Sequence, residues 1–355
     1  MERAYVGLRE QDECVARQSR TPFRPRSPSR SVTLNESDLY ISFVFRYTVL
    51  KTAELEVLAA VEPGDTVSEI TDSLGYSESY VSRAVAGLAE KGLVSTTTDG
   101  RYKRVEPSDA RAVVVYRDLV RQYDHVDFAD LLTGTTLELL SHFDSPSTVA
   151  ELAAASDNYR NTVNRILVRL RNRGIVGVDD GVYRFNGSFD RLHEFARELV
   201  QHRHRKRLEA VAPGGTILWA DTDEFLAQTR TEIDTDGFHE TGFARFAEYG
   251  LQFFVTSHRY YFYSEEMETI SPADLCCHTL LIDDDTRSRS YCLLLLARVD
   301  IDETRLRERA ATYGLAETVD TLLQYLDTAG EVDERRVPDW EAFRELTADY
   351  GVTLS

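Results

Sequence analysis

Apolar residues recur with the same spacing at two places along the chain. Val163, Ile166, Leu167 and Leu170 follow three-, four- and seven-residue steps, the period of one face of a helix. Eighty-two positions earlier, Val81 and Leu88 stand where Val163 and Leu170 stand. The offset holds over a longer stretch. Thr66-Val67-Ser68-Glu69-Ile70 faces Thr148-Val149-Ala150-Glu151-Leu152, Arg83 faces Arg165, and Gly92-Leu93-Val94 faces Gly174-Ile175-Val176. The chain therefore contains an internal repeat, from Ala53 and from Gly134.

Both copies predict the same elements in the same order. A short helix comes first, near 53–61 and 134–142. Thr-x-x-Glu follows, a capping box that satisfies free N–H groups where a second helix begins. That helix ends near Leu74-Gly75 or Ala155. A polar turn leads to a third helix of about 14–16 residues. Gly92 and Gly174 stop the third helices, because glycine tolerates the left-handed backbone of a helix end. A strand, an Asp-Gly turn (Asp99-Gly100 or Asp180-Gly181) and a returning strand then form a hairpin.

Helix, helix-turn-helix and hairpin make a winged helix. The stretch SESYVSRAVAGLAEKGLV, from Ser77 to Val94, resembles archaeal winged-helix transcriptional regulators of the MarR and IclR type. That resemblance implies binding to double-stranded DNA, with the third helix in the major groove and the wing beside it. A winged helix also serves as a protein-binding module, so fold alone does not fix the target.

The two third helices differ on their outer faces. At about 100° per residue, Asn161, Asn164, Arg165 and Asn172 lie opposite the apolar stripe, flanked by Arg160, Arg169, Arg171 and Arg173. Asparagine pairs bidentately with adenine and arginine with guanine, whereas flanking arginines suit phosphates. In the first copy the outward positions are Ser79, Ser82, Arg83 and Glu90, and Glu78 replaces Arg160. Tyr80 is placed to touch a sugar or base. In the hairpins, Tyr102 and Lys103 of the first copy and Tyr183 and Arg184 of the second join the candidate DNA-binding set. The second copy is expected to be the main reader.

The expected fold class is mainly α with small β hairpins, comprising two winged helix-turn-helix domains and a C-terminal α+β domain. Residues 1–35 read as a disordered basic arm carrying Arg20, Arg24, Arg26 and Arg30. Residues 36–108 form the first winged helix, 109–132 a connecting helix, and 133–187 the second winged helix. Residues 188–211 are a linker helix ending in His202-Arg203-His204-Arg205-Lys206-Arg207, either grazing phosphates or joining domains. The remainder, 212–355, is the acidic α+β domain. Leu39–Leu50 is aromatic and reads as a strand or an added helix. Within the C-terminal part, TILWA and GLQFFVTSHRYYFYSE read as strands, and DEFLAQTRTEI and TGFARFAEYG as helices. YCLLLLARV is a buried strand or helix. Two helices meet at Tyr313-Gly314, and a last helix covers Asp339–Tyr350.

Charge sharpens this division. The chain of 355 residues carries a formal net charge of −19, and residues 208–355 alone hold 30 acids against 12 bases. Only four of 41 bases are lysine. Acid-rich, lysine-poor composition resembles proteins of salt-loving archaea. No apolar run is long enough to span a membrane, no secretory leader core is present, and four cysteines make no disulfide framework. A cytoplasmic protein is expected, without a membrane partner.

Two further stretches carry candidate chemistry. Asp221-x-Asp223 resembles the paired carboxylates of nucleotidyltransferases, but reads better as a strand end followed by a helix cap. Cys276-Cys277-His278 lacks CxxC spacing, and adjacent cysteines point apart. The expectation is a DNA-binding transcriptional regulator that is not an enzyme and holds no cofactor or metal. Its partners would be double-stranded DNA, a second copy of itself, and a protein met by the C-terminal domain. The rivals are an antitoxin-like protein that neutralises a nucleotidyltransferase toxin and represses its own operon, and a nucleotidyltransferase-like C-terminal enzyme.

Overall fold

The computed structural model describes residues 50–253 and 257–354. The basic arm at 1–35 and all of the aromatic stretch at 39–50 except Leu50 lie outside the described residues.

The first repeat folds into helix α1 (Thr52–Ala60), strand β1 (Asp65–Thr66), helices α2 (Val67–Leu74) and α3 (Glu78–Glu90), and strands β2 (Val94–Asp99) and β3 (Tyr102–Pro107). The capping box is made. The Glu69 N–H donates to Thr66 Oγ1 at 3.3 Å, and the Thr66 N–H donates to the Glu69 carboxylate at 2.7 Å. Gly92 closes α3 at φ +69°. Helix α3 buries Val81, Ala84, Val85 and Leu88. It crosses α1 closely where Glu54, almost fully buried, receives Lys91 Nζ at 2.6 Å. Gly87 makes room for that carboxylate, since a Cβ there would lie 2.3 Å from Glu54 Oε1. Strand β1 was not expected from the sequence. It pairs with β3, giving an antiparallel sheet of order β1-β3-β2.

Residues 134–185 repeat this order. Helix α4 (Arg111–Gln122) and the single turn α5 (Phe128–Leu131) lead into α6 (Thr135–Ser141). Strand β4 (Ser147–Thr148), helices α7 (Val149–Ala155) and α8 (Arg160–Asn172), and strands β5 (Val176–Asp179) and β6 (Val182–Phe185) follow. The sheet order is β4-β6-β5. Thr148 and Glu151 make the second capping box, with Glu151 N–H to Thr148 Oγ1 at 3.2 Å and Thr148 N–H to the carboxylate at 2.7 Å. Gly174 closes α8 at φ +70°, and Asp180 and Gly181 both take positive φ between β5 and β6, as a two-residue hairpin turn of the primed type requires.

Helix α9 (Arg191–Val211) joins everything. Its first turns run antiparallel to α4, with Arg111 paired to Glu194 and Arg191 to Asp118. Leu192, Phe195 and Ala196 enter one continuous apolar core that reaches from Leu50 through both repeats. Tyr116 of α4 is buried in it, its ring tilted against Phe195 with centroids 5.1 Å apart and its hydroxyl donating to Leu55 O at 3.2 Å. The connecting helix is thus a core element between the repeats.

The last turns of α9 cover one face of a third sheet. Strands β7 (Thr216–Ala220), β8 (Phe225–Thr229), β9 (Phe238–Thr241) and β10 (Arg259–Tyr263) are antiparallel in the order β7-β8-β10-β9. Phe225, Ala227, Tyr261 and Tyr263 meet Leu208 of α9 and Ala212 just past its end. The alternate residues Leu226 and Phe262 face the opposite way. That side is filled by α10 (Pro272–Ile282), α11 (Thr286–Arg298), α12 (Glu303–Thr312), α13 (Ala316–Asp327) and α14 (Trp340–Asp349).

Three expectations need correction here. DEFLAQTRTEI is not a helix: Asp221 to Glu224 form a tight turn, with Asp221 N–H donating to Glu224 O at 2.9 Å, and the apolar part is β8. Both faces of β8 are covered, so its sequence lacks the half-polar alternation that marks a strand. TGFARFAEYG becomes a 3-10 helix, Gly242–Tyr249. Of the long aromatic stretch 250–265 only β10 is a described strand, whereas YCLLLLARV falls in α11. The break at Tyr313-Gly314 and the last helix, capped by Asp339, are as expected.

Candidate nucleic-acid interface

Helix α8 buries Val163, Ile166, Leu167 and Leu170 and turns Arg160, Asn161, Asn164, Arg165 and Arg171 outward. No ion pair or hydrogen bond from these five outward side chains to a described residue occurs. Arg169 and Arg173 are different. Arg169 Nη2 donates to both the backbone O and Oδ2 of Asp130, each at 2.7 Å, and Arg173 Nη2 reaches the same carboxylate at 3.0 Å. The hydrogen bond from Arg169 holds the Asp130 carboxyl below the usual carboxylate range. These two guanidiniums, half-exposed, therefore tie α8 to α5. Tyr159, at the N-terminal end of α8, is 87% exposed. Sequence reasoning passed over it, although an aromatic beside Arg160 and outside the apolar stripe was a usable signal.

In the first repeat, Ser79, Ser82 and Arg83 are exposed on α3. Arg83 Nε folds back onto Ser79 O at 3.1 Å. Tyr80 is half-buried and packs on Tyr76 with ring centroids 4.8 Å apart, and Tyr76 donates to Glu56 at 2.8 Å. Lys91, the other basic residue at this helix, is spent on Glu54. In the hairpin, Tyr102 is 63% exposed and Lys103 is exposed. Arg104 holds the hairpin to the body through Gly64 O at 3.0 Å.

In the second hairpin, Arg184 is exposed, 3.6 Å from Asp179. Tyr183 is a correction. It is buried in the core and paired across the sheet with Val178 and Ser147. Alternation along β6 sends Tyr183 inward and Arg184 outward, so the ring is not presented to a ligand.

The basic run ending α9 is likewise not a free basic surface. His202 Nε2 meets Lys91 O at 2.8 Å, Arg203 donates to Thr222 O and lies 3.1 Å from Asp223, and Arg207 lies 2.9 Å from Glu265 and 4.1 Å over the Tyr263 ring. His204 is fully buried and bonds Asp221 O at 2.7 Å. A carbonyl only accepts, so Nε2 carries the proton, and burial pushes the imidazole down to about 3. This run clamps the third sheet to the first core. His142, following α6, adds a contact to Thr222 at 3.1 Å.

The clamp also occupies the two candidate catalytic acids. Asp221 accepts the Thr222 N–H at 2.8 Å, and Asp223 pairs with Arg203. Cys276, Cys277 and Cys292 are buried in the helical layer, and burial pushes the Cys277 thiol up. His278 lies between Thr241 Oγ1 and the Tyr313 hydroxyl, each at 3.0 Å. Among the described residues, no group of three or more His, Cys, Asp or Glu side chains is arranged to hold a metal ion. His125 is exposed beside Asp124.

Comparison with known families agrees with the first repeat. The family model for the MarR family matches residues 51–104. That is the stretch from α1 into β3, so this part of the chain is similar to a MarR-like winged helix, the DNA-binding fold of a family of transcriptional regulators. Members bind double-stranded DNA and commonly act as dimers. A second family model, described as HVO_2833_C, C-terminal, matches residues 235–352, from just before β9 to just past α14. No curated protein matches the chain. No helix among the described residues is long and apolar enough to cross a membrane.

Proposed function

We propose that the chain is a sequence-specific, double-stranded DNA-binding transcriptional regulator of the cytoplasm with two winged helices. Residues 134–185 form the second, and its helix α8 enters the major groove. The observation that carries this reading is the outer face of α8. Arg160, Asn161, Asn164, Arg165 and Arg171 stand exposed on one short helix in a chain of net charge −19. Elsewhere arginines are largely taken up by neighbouring acids.

Asn161, Asn164 and Arg165 supply base contacts, and Arg160 and Arg171 supply phosphate contacts. Arg169 and Arg173 act mainly by fixing the angle of α8. Ser79, Tyr80, Ser82 and Arg83 of α3, with Tyr102, Lys103 and Arg184 of the hairpins, lie at the edge of the same function. The C-terminal domain serves regulation or oligomerisation, with a second copy or another protein as partner. In a DNA titration, Arg165→Ala should weaken a specific site by about 1–3 kcal/mol and Arg83→Ala by less. The reverse order would reject α8 as the main reader.

A further inference from the structure

The two repeats carry opposite charge in corresponding parts. Helix α3 has Glu78 and Glu90 against Arg83, whereas α8 has four arginines and no acid. The hairpins are reversed. Residues 98–104 hold Arg101, Lys103 and Arg104 against Asp99, whereas 178–184 hold Asp179 and Asp180 against Arg184. The first hairpin is also the longer, with six residues per strand against four. Its tip exposes Arg101, Tyr102 and Lys103, and Arg104, next along β3, donates to Gly64 O outside the hairpin and pairs with Asp99 within it. The shorter hairpin turns its tyrosine, Tyr183, into the core.

Resting on the DNA-binding reading above, we infer that the two repeats divide the work on one duplex. The second reads bases with its helix α8. The first grips the sugar–phosphate backbone with the tip of its hairpin, Arg101, Tyr102 and Lys103, while α3 stays at the edge of the groove and reads no bases. A net negative helix face is repelled by a groove lined with phosphates, and the acidic turn of β5–β6 is repelled in the same way. A braced hairpin with two exposed cations that pair with no described residue, and an exposed ring, suits backbone contact, which adds affinity at any sequence. Each chain therefore specifies one half-site, although it contains two repeats.

Selection from a random duplex library with purified full-length protein tests this. The expected result is a single, non-repeated motif per chain. Asn161→Ala with Arg165→Ala should erase the motif. Arg101→Ala with Lys103→Ala should keep the motif but lower affinity for every duplex by roughly tenfold or more, and make the slope of log affinity against log salt shallower by about two. All four positions are exposed, so folding is not at risk. Two motifs per bound chain, with the number of chains read from the mass of the complex, or a hairpin variant with unchanged affinity and salt slope, would overturn the division of labour while leaving DNA binding intact. Failure of the wild-type chain to bind any duplex would instead overturn the DNA reading, and this inference with it.

Discussion

Asp130 sets how many charges α8 offers. One carboxylate holds both Arg169 and Arg173, so two of the five arginines counted from the sequence are engaged inside the protein. Asp130→Asn should release them. Binding to non-specific DNA should tighten, and its salt dependence should steepen by up to about two counterions. A salt titration with unchanged slope would show that these arginines already reach phosphates. The charge pattern of Asn158–Gly174 was legible in the sequence, but the engagement of Arg169 and Arg173 was not. Their partner lies about forty residues away, and only packing of α5 brings it near. Tyr183 was misread for a more local reason: one step of strand register decides whether a tyrosine faces solvent or core.

At the scale of elements, the repeat was legible because each copy keeps its own local signals. The Thr-x-x-Glu boxes, the closing glycines and the Asp-Gly turn of the second copy all specify backbone geometry without help from distant residues. Strand β8 was not legible. Asp221-Thr222-Asp223-Glu224 imitates a helix start, and the following residues are buried on both faces. Gly87 shows how packing overrides propensity. In an exposed helix, Gly→Ala gains about 1 kcal/mol. In α3 the added methyl would meet the Glu54 carboxylate and displace it from Lys91. Gly87→Ala should therefore lower the melting temperature, and a rise would contradict this account of the α1–α3 crossing.

The described residues are held together along α9, about 31 Å of helix at 1.5 Å per residue. The sequence leaves its basic run either grazing phosphates or joining domains. Arg203, His204 and Arg207 form the clamp between the first core and the third sheet. The clamp and the helical layer contain two buried neutral imidazoles, His204 and His278, each pushed down to about 3 by burial. Unfolded histidine titrates near about 6.5. Above that pH both states are neutral, and the histidines add no pH dependence. As pH falls from about 6.5 towards 3, the unfolded chain takes up protons that the folded chain refuses, so stability is lost. Melting at pH 5 should therefore occur below melting at pH 7.5, and a flat profile would contradict burial of neutral histidines.

The central claim is that α8 brings this acidic protein to particular DNA sequences. Genome-wide DNA occupancy of the tagged protein, measured beside the Asn161→Ala, Arg165→Ala double variant, tests it most directly. The account predicts discrete enriched sites sharing a motif for the wild type, and loss of that motif for the variant at equal protein level. Absence of enrichment for the wild type, or identical sites for both proteins, would contradict it.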